Sequence, residues 1–153
     1  MNSGLISFIR ESKKKGYAST TAKWKKIAGG GNKISFKKGN YTYEDVYFGS
    51  RIDSGQERVY EKGKVIWIMA YRGVIVPKFE SMHNEAFAFL KRCISMMPKD
   101  FPARGPKSCK DGKWRYENKW KGDISGFIGE ENIYFNNDLI CFRHYLGGLI
   151  KGK

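Results

Sequence analysis

Histidine, cysteine and proline are scarce in this sequence, acids are outnumbered, and there is no long apolar run. The two histidines, His83 and His144, lie far from Cys93 and Cys109, and the three cysteines form no CxxC pair. That spacing argues against a structural zinc site, and an odd cysteine count without a framework reads as three free thiols. A Ser-His-Asp or Cys-His nucleophile is equally unsupported. His83 falls on a predicted helix, and Cys141 and His144, three apart on a predicted strand, face opposite sides. No apolar stretch approaches the roughly 18 residues that a membrane span needs. The opening MNSGLISFIRESKKK places its lysines after the apolar patch, the reverse of a secretory signal. The expectation is a cytoplasmic protein with no membrane partner, no cofactor and no metal.

What is present is aromatic, glycine-rich and basic. The 153 residues are 41% hydrophobic and 15% aromatic, too rich for a disordered chain, and 18 glycines against 4 prolines predict tight turns within ordered structure. The length suits one domain, 1–153. The formal net charge is +14, and +9 of it falls within residues 1–38. A field of that sign attracts nucleic acid or an acidic protein surface, and a solvated basic face is the plain alternative.

Compared with itself, the sequence shows two related stretches, GNYTYEDVYFGSRIDSGQERVYEKGKVIWIMAYRGVIV from 39 and GKWRYENKWKGDISGFIGEENIYFNNDLICFRHYLGGLI from 112. Gly39, Tyr41, Tyr43, Glu44 and Gly49 match Gly112, Trp114, Tyr116, Glu117 and Gly122 at an offset of 73. After one insertion, Gly55, Glu57, Tyr60, Tyr71 and Gly73 match Gly129, Glu131, Tyr134, Tyr145 and Gly147 at 74. Period-two alternation in Tyr41, Tyr43, Asp45, Tyr47 and in Trp114, Tyr116, Asn118, Trp120 predicts strands with one aromatic face. Further strands are expected near 55–61 and 64–71, with turns at Lys62-Gly63 and Asn136-Asn137. An amphipathic helix precedes each set, one around Leu5, Phe8 and Ile9, the other from Met82 to Met97 and closed by Pro98. The fold expectation is α+β: two pseudo-symmetric helix-plus-three-stranded-antiparallel-meander repeats, 1–77 and 78–153, sharing one core. The segment YASTTAKWKKIAGGGNK, 17–33, fits neither pattern and reads as a loop.

The stretches GNYTYEDVYFG, GQE, KVIWIMAYRGVIV, FPARGP and FRHYLGGLI together resemble a bacterial family, domain of unknown function 5680, over nearly the whole chain. Members of that family occur alone or joined behind an XRE-type helix-turn-helix DNA-binding domain. The resemblance therefore implies a regulatory or sensing part and carries over no catalytic activity. No helix-turn-helix is evident in this sequence, so a DNA-reading half would be another protein.

Three chemistries compete. Basic residues interleaved with aromatics suit a polyanion: Lys13, Lys14, Lys15, Lys23, Trp24, Lys25, Lys26, Lys33, Lys37 and Lys38, with help from Lys107, Lys110, Lys113 and Arg115. GGGNK, 29–33, adds flexible backbone N–H groups but is not a GxxxxGK[ST] loop. A non-catalytic protein binding nucleic acid through this face is the first reading. The second is a small-ligand sensor whose aromatic pocket between the repeats uses Tyr43, Tyr47, Trp67, Tyr116 and Trp120, with Glu57 or Glu131 as polar anchor. The third is a metal-dependent hydrolase or nuclease using Asp45, Glu57, Glu117 and Glu131, which requires those carboxylates to converge. Glu57 and Glu131 recur after glycines, where a buried carboxylate accepting backbone N–H bonds at a turn would also sit.

Overall fold

Alternating burial along consecutive strands puts one face of a sheet against two helices and leaves the other open. The computed structural model describes residues 3–19 and 21–152. Helix α1 spans Ser3–Lys15, and strands β1 to β5 span Lys25–Ile27, Gly31–Lys38, Tyr41–Gly49, Ile52–Glu61 and Lys64–Ile75. A 3₁₀ segment, Pro77–Met82, leads into α2, His83–Ser95; β6 to β9 span Ser108–Asp111, Trp114–Asp123, Gly126–Phe135 and Asp138–Leu149.

The expected pair of helix-plus-three-stranded-meander repeats is not what forms. The nine strands make a single antiparallel sheet in the order β1-β2-β3-β4-β5-β9-β8-β7-β6, so the fold is predominantly β with two helices on one face. Two physical causes account for the difference. Part of the segment expected as a loop pairs instead, because Ile34 and Phe36 alternate inward and β2 runs along β3 from Asn32↔Tyr47 to Lys38↔Tyr41. The third strands do not stay at separate edges either. β5 pairs with β9 from Trp67↔Leu149 to Ile75↔Cys141, which satisfies both rows of backbone donors and acceptors.

Hairpin geometry follows the turn residues. Lys62 and Gly63 have φ of 49° and 81°, and Asn136 and Asn137 have 51° and 68°, the left-handed pairs that a two-residue hairpin needs. Both following strands carry a bulge at matching places, opposite Val59/Tyr60 and Ile133/Tyr134 of the strands before the turns. Leu5, Phe8 and Ile9 of α1 pack with Tyr43, Val59, Trp67 and Met69, and the Trp67 indole N–H donates to Ile124 O at 2.9 Å. Ala86, Phe89, Leu90, Cys93 and Ile94 of α2 cover Ile75, Tyr116, Ile133 and Ile140. Residues 101–105 are buried beneath the same layer. On the open face Ile52, Ile128 and Leu146 stay more than half exposed.

Gly49 and Gly122 close the β3–β4 and β7–β8 connections with φ of 85° and 90°, and an added Cβ would overlap the carbonyl oxygens of Ile52 and Gly126. Gly122→Ala should cost about 2 kcal/mol or more, because it combines strain with backbone overlap. Gly126→Ala, which meets open space, should stay within about 0.5 kcal/mol of the parent. Urea denaturation of the two variants checks the contrast, and equal costs would contradict it.

Candidate functional site

Beneath the helices the sheet buries seven acidic or basic side chains among the described residues: Lys13, Arg104 and Arg143 against Asp45, Asp53, Glu57 and Glu131. Burying charge is costly unless each group finds a partner, so the pairing decides what the site is. Arg143 on β9 grips Asp53 on β4 through two bonds of 2.8 and 2.9 Å. Arg104 forks onto Glu131, with Nε to Oε2 at 3.1 Å and Nη2 bonded to Oε1. Glu131 also accepts from Tyr116 OH at 2.6 Å and lies 3.3 Å from Arg143 Nε. Burial works against its charge, yet Arg104 and then Arg143 hold the Glu131 carboxyl below the usual range. Lys13 Nζ is 3.0 Å from Glu57 Oε2 and also bonds Ala103 O, while Tyr43 OH donates to Glu57 Oε1.

Asp45 is the acid left over. It sits opposite Glu57 in the β3–β4 register, and its bond is with Tyr71 OH, which donates to Oδ1 at 2.7 Å. Burial first, and the Glu57 charge second, push the Asp45 carboxyl up to about 7. Asn118 occupies the corresponding place in the β7–β8 pair, opposite Glu131. It accepts from Tyr145 OH at 2.7 Å and donates to Gly105 O at 2.8 Å. Asn118 is thus closed over by the 101–107 segment, whereas Asp45 faces open space.

Glycines in mid-strand make this geometry reachable. Tyr71 lies over Gly55, its partner on β4, and so reaches Asp45 on β3; Tyr145 lies over Gly129 and reaches Asn118 in the same way. Arg143 crosses Gly73 to meet Asp53. A Cβ at any of the three would occupy the space of the crossing side chain.

The open space beside Asp45 is a cavity of about 370 Å³. Its aromatic walls include Trp24, Tyr47, Tyr71 and Phe87, and Lys26, Lys91, Arg104 and Arg143 contribute positive groups. Trp24 meets Tyr47 edge-on at 5.2 Å, and the Lys91 ammonium lies 5.7 Å above the Tyr17 ring. Tyr17 OH and His83 Nε2, both on residues of the lining, are buried with no hydrogen-bond partner among the described residues.

Of the pocket residues expected from sequence, only Tyr47 lines the cavity. Tyr43, Trp67 and Tyr116 are fully buried core, Trp120 stacks on Phe101 at 4.4 Å, and Glu57 and Glu131 stand behind the wall in ion pairs. Neither glutamate satisfies a turn; side-chain hydroxyls, ammonium and guanidinium hold them instead. Among the expected polyanion contacts, Lys13 is core, Lys33 pairs with Glu44 at 2.9 Å, and Lys15 and Lys38 both reach Glu11. Lys14, Lys23, Lys25, Lys26 and Lys37 are exposed, and Trp24 is half-buried in the cavity wall. Lys107, Lys110, Lys113 and Arg115 belong to the β6–β7 side, at the other edge of the sheet from β1. GGGNK forms a 3₁₀ turn entering β2, not a helix start. The carboxylates do not converge: Glu117 pairs with Arg115, and among the described residues no three His, Cys, Asp or Glu side chains are placed to share a metal ion. Cys93, Cys109 and Cys141 are free thiols.

Sequence reasoning missed Tyr17, Asp53, Tyr71, His83, Arg104 and Arg143. The available signal was the recurrence of Gly55, Gly73 and Gly129 inside strand patterns, where a missing side chain marks close approach rather than a turn.

Together these features define a single-sheet, predominantly β protein with a charge-paired interior and a cavity lined by two buried acids, Asp53 paired with Arg143 and Asp45 without an ion pair. The family model for Domain of unknown function (DUF5680) matches residues 45–150, more than half of the chain, and the chain belongs to that family. The match begins at Asp45 and leaves out the most basic segment. No curated protein and no solved structure gives a significant match.

Two stability tests follow. A raised carboxyl pKa contributes stability that is present below about 4 and lost as pH rises through about 7. Asp45→Asn should match the parent near pH 4 and melt higher at pH 8, by on the order of 5 °C. Melting curves across that window check it, and a pH-independent difference contradicts it. Lys13→Met, which strands Glu57, should cost about 3–5 kcal/mol, whereas exposed Lys14→Met should cost under about 0.5. Denaturant titration separates the two.

Proposed function

We propose that this protein is a non-catalytic module that binds a small ligand in the Asp45 cavity and serves a sensing or regulatory role. The observation that carries the reading is the unequal treatment of two matching places. Asn118 is sealed by the 101–107 segment, while Asp45 opens onto about 370 Å³ with aromatic walls, and two residues of that lining, Tyr17 and His83, carry a buried polar atom without a hydrogen-bond partner among the described residues. Cavities of about 300–1,000 Å³ with apolar walls and few polar groups suit small molecules. A bacterial, cytoplasmic, regulatory setting is part of the proposal and rests on the resemblance to chains joined behind XRE-type helix-turn-helix domains. No helix among the described residues is long and apolar enough to cross a membrane.

A second reading, binding of nucleic acid or another polyanion, draws on the exposed Lys14, Lys23, Lys25 and Lys37 and the net charge of +14. Salt separates the two. An unbiased thermal-shift screen at low and high salt should return ligands that raise the melting temperature by about 5–10 °C near 100 Kd. That stabilisation should persist in salt and be lost in Trp24→Ala. Polyanion binding should instead fall linearly in log K against log salt. A screen with no salt-resistant stabiliser counts against the cavity reading.

A further inference from the structure

The charges buried under the sheet do not balance. Four acids face three bases, and the geometry assigns a partner to every acid except one: Glu57 has Lys13, Asp53 has Arg143, and Glu131 has Arg104. Where the proton of the Lys13–Glu57 pair sits does not alter the count, since that pair is neutral either way. Among the described residues Asp45 makes no ion pair: the Tyr71 hydroxyl that it accepts from supplies no charge, and the nearby Lys13 and Arg104 are engaged by Glu57 and Glu131.

We propose that the cavity binds a small aromatic monocation, an amine, amidinium or quaternary ammonium, with its charge against Asp45 and its ring against Trp24, Tyr47 and Phe87. This inference rests on the small-ligand reading above and names the ligand class. An uncompensated carboxylate in a desolvated place is the strongest available attraction for a cation, and rings beside it add cation–π attraction. The other charged groups of the lining do not reverse this. Arg104 and Arg143 are neutralised by Glu131 and Asp53, Lys26 is exposed to solvent screening, and the Lys91 ammonium is held above the Tyr17 ring. An anion would have to lie beside Asp45, and each buried base among the described residues is already engaged by an acid.

In the empty protein burial and then the Glu57 charge raise the Asp45 carboxyl to about 7, so below that pH a bound cation displaces a proton. Of the other titratable groups of the wall, Asp53 is paired with Arg143, and His83 lies against Phe87 with ring centroids 4.6 Å apart and its Nδ1 3.2 Å from Asn84 Oδ1. Tyr17, Tyr47 and Tyr71 are all held above the ordinary tyrosine range by burial and stay neutral through the window concerned.

Isothermal titration with three near-isosteres, benzamidinium, benzamide and benzoate, tests the idea, with benzyltrimethylammonium and 9-aminoacridinium as larger cations. The expected result is cation binding at least tenfold tighter than that of the neutral or anionic isostere. Affinity should rise about tenfold per pH unit up to about pH 7 and then level off, with up to one proton released below that pH. Asp45→Asn should abolish the preference; Asn118, in the matching place, shows that the fold accommodates the amide. The proposal is overturned if no cation binds, if benzamide or benzoate binds as well, or if the preference survives in D45N. Failure here with neutral or anionic ligands emerging from the broad screen leaves the small-ligand reading standing. Failure with no ligand of any charge removes both.

Discussion

The bidentate pair of Arg143 with Asp53 ties β9 to β4 across β5, and much of the interior is arranged around it. Arg143 also faces Glu131, which in turn holds Arg104, so the guanidinium of one strand organises the acids of two others. A buried pair of this kind repays its desolvation only when geometry is good and the remaining donors and acceptors are met. Here the requirement is met by fixing β5 against β9, because a slip of one residue would turn Arg143 to the solvent face. The single nine-stranded sheet is therefore both the scaffold of the ion pairs and a consequence of needing them in register.

Reaching across a strand requires that the strand between have nothing in the way. Gly73 clears the path of Arg143, Gly55 that of Tyr71 and Gly129 that of Tyr145. Glycine in a strand interior normally weakens it, by entropy and by the lack of a side chain to pack. In this sheet the missing side chain is replaced by the ring or guanidinium lying over it, which recovers the packing and places a polar tip on a third strand. The tyrosines work as struts with one end in the apolar layer and one on a carboxylate or amide.

Much of the local structure was legible in the sequence. The helix from Met82, the aromatic faces of β3 and β7 and the hairpins at Lys62-Gly63 and Asn136-Asn137 follow from periodicity and turn chemistry within a few residues of each other. The joining of β5 to β9 was not legible, because antiparallel pairing between distant strands leaves no local mark. Lys13 shows the same limit. Its neighbours Lys14 and Lys15 made it look like one of a basic run, yet helical geometry alone turns Lys13 inward with Leu5, Phe8, Ile9 and Ser12. Mid-strand glycines carried the clearest unused information about the site. The eye reads them as turns, whereas their recurrence opposite Tyr71 and Tyr145 encodes contact across the sheet.

The comparison of Asp45 with Asn118 then acquires a physical meaning. At Asn118 an amide serves because every group around it is satisfied within the chain: Tyr145 on one side, Gly105 on the other, and the 101–107 segment above. An aspartate there would add a fifth buried acid with no base to spare. At Asp45 an amide would be electrically cheaper by the same reasoning, and the surroundings already supply a tyrosine on a glycine in the identical pose. Stability alone therefore favours Asn at both places, and a chain that keeps the acid where the wall is open bears a cost that its own architecture shows how to avoid. Strain of that kind falls on Asp45 and not on Asp53, the other buried carboxylate of the cavity lining, which Arg143 already pairs, and it is what the proposed ligand would relieve.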